Sequence, residues 1–436
     1  MRIAYRLQLL LISLFALALA GCDDGGGGSK GSAYVRLLNV SPGYDSLDVY
    51  VDSEDDKDDS STRRLEAVGY ESVSEYIELD SGSYSFQFKR NGVSGALRTI
   101  GGQKLTDDSH VTYIGYGSTG NFNVLSLGED VEEPEDGETY VQLINAAEGI
   151  GTLDVYFTDA DVDLENVSPN ISDVGYGATT VDSGTYRLRI TGADDTDDIR
   201  LDIAELELTS GGVLSIILTA TSGGTLVNAI LLPQRGAATP LHNTKARVRG
   251  AIGISSGLAT TMRVGGVTLL SNATSGAIGS GYVQIDAGQS AIDLIVDGTP
   301  FTLPSRTIAA GGDYTLLAWN EGDEVQATLI DDDNSLPRTS GKAKLRVING
   351  LSGFGGPINL AVDYSPIAEG IALGEASSFA LVDGGTGYQL DVASTNTSQN
   401  LVSRDSVTLQ TGSIYTLFVA GGQSSEQTSA ILRKDR

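Results

Sequence analysis

The chain has 436 residues and a formal net charge of −29, with 57 acidic against 28 basic side chains. Such a balance disfavours nucleic acid and anionic lipid headgroups as electrostatic partners. Hydrophobic residues make up 40% of the chain, enough for packed cores, so this is not a disordered acidic polymer.

Residues 1–21 read as an export leader. Arg2 and Arg6 form a positive start, and Leu7 to Ala20 is an apolar run shorter than the roughly 20 residues a spanning helix needs. The ending Leu19-Ala20-Gly21-Cys22 resembles the bacterial lipobox. That resemblance implies cleavage before Cys22 and acylation of its thiol and new N-terminus, a membrane anchor through lipid. Cys22 is the single Cys, so no internal disulfide can staple the fold. Asp23 resembles an inner-membrane retention signal, but inner and outer membrane both stay open, within a bacterial cell envelope on its periplasmic side. Residues 22–32 carry a Gly-rich tether.

Four stretches then share one pattern: YIELDSGSYSFQF from Tyr76, TTVDSGTYRLRI from Thr179, YVQIDAGQSAIDLIV from Tyr282 and FALVDGGTGYQLDV from Phe379. Each has alternating apolar residues on both sides of an Asp-x-Gly. Asp80, Asp182, Asp286 and Asp383, with Gly82, Gly184, Gly288 and Gly385, are expected to make a hairpin in which the glycine takes positive φ. The copies lie about one small all-β domain apart.

Taken in order, the expected units are 33–128, 139–235, a divergent third at 245–332, and 343–436. The first holds YVRLLNV, LDVYVD, HVTYIGYG and FNVLSLG, all short runs of period two bounded by Gly, Asp, Asn and Ser. EDVEEPEDGE, RGAATPLHNT and DNSLPRTSG read as linkers that Pro134, Pro240 and Pro337 stiffen. With about seven strands per unit and no helical period, the expectation is all-β: four tandem immunoglobulin-like antiparallel β-sandwiches. Placed end to end, they would reach roughly 120–160 Å.

The opening V-R-L-[LI]-N-[VA], followed some ten residues later by L-D-V-Y-[VF], is clear at Tyr34–Asp52 and Tyr140–Phe157. It is fainter at Ala343–Asp363 and faintest at Lys245–Thr268. This pattern resembles the domain-of-unknown-function 4397 family, found in tandem in bacterial envelope lipoproteins. The resemblance implies a β-sandwich and an envelope setting, and carries over no catalytic or binding residue.

Chemistry is sparse. His110 and His242 stand in different regions, which suits neither a metal site nor a catalytic triad, and no enzyme is expected. The acidic loops at Asp52–Asp56, Asp194–Asp198 and Asp331–Asp333 offer oxygens for calcium. Asp159, Asp161 and Asp163 are the best candidate ligands, although they miss the EF-hand pattern. Trp319 is the only Trp and has no aromatic counterpart in two of the other units, so no shared sugar-stacking platform is expected. The expected role is a structural, spacer or adhesion module held to the membrane by lipid. The alternative is a receptor for glycan, peptide or calcium. Replacing Cys22 by Ser is expected to move the chain from the membrane pellet to the soluble fraction on cell fractionation.

Overall fold

The computed structural model describes residues 31–55, 61–254, 257–352, 354, 356–395, 400–421 and 428–436. Cys22, the leader and Asp56 lie outside the described residues. No described helix is long and apolar enough to cross a membrane.

The first unit shows the plan. Its strands are β1 (Ser32–Asn39), β2 (Ser46–Ser53), β3 (Thr62–Gly69), β4 (Ser72–Val73), β5 (Ile77–Asp80), β6 (Gly82–Arg90), β7 (Ala96–Leu105), β8 (His110–Ser118) and β9 (Asn121–Gly128). One sheet runs β4-β1-β8-β9, with β5 also beside β1, and the other runs β3-β2-β6-β7. Val35, Leu37, Leu47, Val49, Phe86 and Phe88 fill the space between them. The alternation noted in the sequence is the period of strands with one face in this layer. Two-sheet layers of the same plan recur through residues 138–241, 245–332 and 342–434, each around its own apolar cluster.

Three expectations are corrected. First, the sheets are not purely antiparallel. β1 runs parallel to β8, from Tyr34↔His110 to Asn39↔Gly115, and the other first strands do likewise at Tyr140↔Val213, Arg247↔Asp313 and Lys344↔Ile414. A parallel pair needs a long crossover; here the strands of the opposite sheet supply it without a helix. The resulting four-plus-four strand order differs from the ABED/CFG order of immunoglobulin domains.

Second, Asp-x-Gly is a corner rather than a hairpin. β5 pairs with β1, whereas β6 pairs with β2 and β7, so the chain changes sheets there. The tyrosine beyond the turn closes the corner: Tyr84 Oη donates to the Asp80 carbonyl at 2.8 Å, and Tyr388 Oη to that of Asp383 at 2.9 Å. A corner does not demand the left-handed region. Only Gly288 is clearly there, at φ 126°, while Gly184 at 159° is almost extended.

The family pattern has a structural reading. Asp48 of LDVY accepts from the backbone N–H of Ala67, and Asp154 from that of Asp173, at 2.9 and 2.8 Å. Thr261 and Asn359 do the same for Asn272 and Gly370. All four donors have positive φ, between 47° and 70°. They lie where the strand register shifts, so the polar residue satisfies an N–H that the bulge takes out of the ladder. Asn39, Asn145 and Asn349 hold the first loop in the same way.

The third correction concerns the arrangement of the units. They pack face to face in pairs, not end to end. Leu38, Ile114 and Leu127 meet Ile144, Ile217 and Ile230 in one apolar layer. Ala251 and Leu317 meet Ile348 and Phe418 in another. Linkers are pinned. Glu129 is buried and accepts from Arg36 and from the Arg235 N–H. The pairs are joined as well: the Arg436 guanidinium donates to the carbonyls of Gly149, Gly224 and Asn334 at 3.2, 2.8 and 3.2 Å.

At each pair interface a first-strand side chain carries a polar set. Arg36, Gln142, Arg249 and Arg346 lie beside a hydroxyl on the parallel strand: Thr112, Ser215, Thr315 and Thr416. Tyr76, Tyr282 and Phe379 cover the three guanidinium groups at 4.6–4.8 Å, and the Tyr176 hydroxyl donates to Gln142. In the later pair the acids cross over. Arg249 binds Asp435 of the fourth unit, and Arg346 binds Asp332 of the third. All four side chains are almost wholly buried.

Two outcomes follow. Small-angle scattering should give a radius of gyration below about 30 Å, where a straight row of that reach would give about 40 Å. Asp332→Ala would leave the Arg346 charge buried without its partner, and is expected to cost ~3 kcal/mol or more. Gln142→Ala, in the neutral set, should cost only ~1 kcal/mol; midpoints of chemical denaturation compare the two.

Candidate binding groove

The crossed ion pairs hold the third and fourth sandwiches together and leave a groove of about 1030 Å³ at one side of their junction. Three elements wall it. One is the edge strand Glu324–Asp332, which ends its sheet. The second is the segment from Gly374 to Leu381, leading into the strand Ala380–Asp383, and the third is the connection from Ser335 to Thr339. Leu381 offers 52% of its surface to solvent, a large apolar side chain that the fold leaves uncovered.

The cations in the groove are already used. Lys344 Nζ donates to the Asp333 carbonyl and carboxylate and to the Ser335 carbonyl, at 2.7, 2.9 and 3.0 Å. Burial pushes its ammonium below the ordinary value. Burial alone would raise the Asp333 carboxyl, but Lys344 and Ser335 outweigh it and hold it low. Arg338 reaches Ser118 Oγ at 3.1 Å and Glu148 at 2.9 Å, which ties the connection to the first two units. Asp331 and Glu375 are exposed and have no ion pair among the described residues. The free charge in the groove is therefore negative.

A second cavity, of about 600 Å³, occupies the corresponding place on the other side of the junction. Register makes the match: Lys245↔Asp286 and Lys342↔Asp383 set Arg247 against Lys344, Tyr282 against Phe379, and Gln284 against Leu381. Here the space is partly filled by the second unit. Gln284 donates to the Ile199 carbonyl, and Arg247 lies 4.0 Å from Asp198. Burial and the Asp332 carboxylate raise the Tyr282 hydroxyl well above its usual value. Burial, with Arg200 nearby, pushes Arg436 down to about 9.

The residues singled out in the sequence are not brought together. Asp163 caps a short 3-10 turn by accepting from the Glu165 N–H at 3.1 Å, while Asp159 and Asp161 are exposed. Among the described residues no group of three or more His, Cys, Asp or Glu side chains is placed to hold a metal ion. His110 stacks on Tyr34 at 4.6 Å and meets Asp130, and His242 meets Glu71. Trp319 is packed in the interface, its Nε1 donating to Thr328 at 3.1 Å, so it is no open stacking platform.

Sequence reasoning missed the buried arginines and the groove. One signal was available: an Arg or Gln recurs at the same place in YVRLLNV, YVQLINA, KARVRGAI and KAKLRVIN, next to the apolar residues of each first strand.

Among solved structures, a family 26 carbohydrate-binding module of Eubacterium rectale Amy13K in complex with maltoheptaose is similar at 16% identity. The match covers 44% of this chain and 95% of that one, with a TM-score of 0.16. A putative cell adhesion protein from Bacteroides fragilis matches at 10% identity over 68% and 97%, with a TM-score of 0.12. The Bacillus anthracis TIE protein matches at 9% over 91% and 76%, with a TM-score of 0.14. Likenesses of this size carry no argument about function. No curated protein matches the chain. The description "Domain of unknown function (DUF4397)" matches residues 33–156 and 253–355, together more than half of the chain. The matched residues include the bulge-capping Asp48 and Asp154 and the first-strand Arg36, and the chain belongs to the domain-of-unknown-function 4397 family.

Proposed function

We propose that this chain is a non-enzymatic, lipid-anchored protein of the bacterial cell envelope that acts as a rigid adhesion or binding module. The observation that carries the reading is the crossed pairing of Arg249 with Asp435 and Arg346 with Asp332. It locks two sandwiches into one body and presents an unfilled groove beside them. A preformed cleft lined by apolar and a few polar groups suits binding. The described residues that line it include no His or Cys. The apolar leader ending in Cys22 supports the lipid anchor and the envelope, and the acidity of the chain disfavours nucleic acid. The spacer role loses its support, because face-to-face packing removes the reach that an end-to-end row would have.

Protease treatment of intact cells tests the reading. Surface display predicts that the chain is shaved from living cells and that Cys22→Ser cells lose adhesion to a matrix or partner cell. A chain that turns over a polysaccharide or peptide substrate, or whose deletion leaves adhesion and envelope association of other proteins unchanged, would overturn it.

A further inference from the structure

The last strand of each unit ends a sheet, and an edge strand presents unpaired N–H and C=O groups. One of these edges is covered within the chain. Thr239–Leu241 leaves the second sandwich and pairs antiparallel with the strand Val227–Pro233: Ala229↔Leu241, Ile230↔Pro240 and Leu231↔Thr239. Pro240, which has no N–H, faces Ile230, whose own groups turn to the neighbouring strand. In the fourth sandwich the corresponding Ala430 carbonyl is taken by Arg404 at 2.8 Å.

The third-sandwich counterpart, Glu324–Asp332, has no strand over it among the described residues. Ser215 and Thr315 are equivalent hydroxyls on the parallel strands, so Leu218↔Ala229 and Ala318↔Ala327 occupy the same place. Ala327, Thr328 and Leu329 therefore stand where the second unit receives its cover, and Thr328 and Leu329 line the groove. The hairpin closes at Glu321↔Glu324, a pair that exchanges hydrogen bonds in a two-residue turn. By alternation Val325, Ala327, Leu329 and Asp331 turn their backbone groups outward. Arg346 reaches the Asp331 carbonyl at 3.4 Å.

We propose that the groove takes an extended, basic polypeptide segment of a partner protein, which adds antiparallel to Glu324–Asp332 as Thr239–Leu241 adds to its neighbour. Main-chain hydrogen bonds supply the mode of binding. Phe379 and Leu381 receive an apolar side chain from one face of the segment. The carboxylates of Asp331 and Glu375 receive Lys or Arg, and the charge of −29 over the whole chain favours approach of such a partner. About five extended residues span roughly 17 Å, which fits along the nine-residue strand Glu324–Asp332. The inference rests on the reading of this cleft as a binding face.

The test uses the full mature chain with Cys22→Ser, titrated calorimetrically with an amidated octapeptide of alternating lysine and valine. A glutamate–valine octapeptide and a maltooligosaccharide serve as comparisons. The lysine peptide is expected to bind at least tenfold more tightly than the glutamate peptide. Leu329→Pro, which removes an outward N–H from an edge strand where Pro is tolerated, should weaken it at least tenfold. Asp331→Lys with Glu375→Lys should weaken it at least fivefold. Where Leu329→Pro fails to fold, the exposed charge pair decides. No binding, preference for the sugar, or binding that survives these variants as general attraction to an acidic surface would each overturn the proposal. Surface shaving and adhesion are read separately, so the envelope role stands or falls apart from it.

Discussion

A guanidinium placed on a first strand cannot be buried unless its donors and its charge are met there. Most of what is particular to this molecule follows from that constraint. Arg249 and Arg346 sit in the middle of an apolar contact between two sheets. Each is bonded most closely to the last acid of the other unit, while Asp332 of its own unit lies 4.0 Å from Arg249. Docking therefore supplies each guanidinium with its closest carboxylate. Removing a buried ion from its partner costs more than the pair contributes over a hydrophobic substitute, so any docking that separates these pairs is penalised.

The second unit shows that charge is not required by the fold itself. Gln142 and Ser215 fill the same positions with a neutral hydrogen bond, and Tyr176 donates to Gln142. The same sheets form. What changes is the docking: in the earlier pair Arg36 takes Glu129, the residue that directly follows the last strand of its own unit, and the contact rests more on Leu38, Ile144, Ile217 and Ile230. One chain thus carries two ways of joining sandwiches, one mainly apolar and one that adds crossed charges. The charged junction is bordered by the groove beside Leu381.

Equivalent positions also differ in what covers them. Gln284 is bonded to a strand of the second unit, whereas its counterpart Leu381 is open. Thr239–Leu241 covers one sheet edge, and no strand among the described residues covers the matching edge in the third unit. Repetition makes the missing element visible, because the chain contains the filled version of each site. The divergent third unit is where these differences gather, and it retains the bulge-capping polar residue, as Thr261, although the Leu-Asp-Val-Tyr pattern is lost.

By itself the sequence determined the local chemistry of the strands. Period-two alternation marked the elements and their buried faces. Asp-x-Gly marked a reversal, but a corner between sheets and a hairpin use the same residues, and only strand pairing separates them. The parallel partnership of first and eighth strands joins residues some seventy apart, for which no local signal exists. The face-to-face docking, the burial of Arg36, Arg249 and Arg346, and the groove beside Leu381 were decided by tertiary structure alone. An Arg in an alternating run reads as solvent-facing until a second sheet arrives with the acid that lets it be buried.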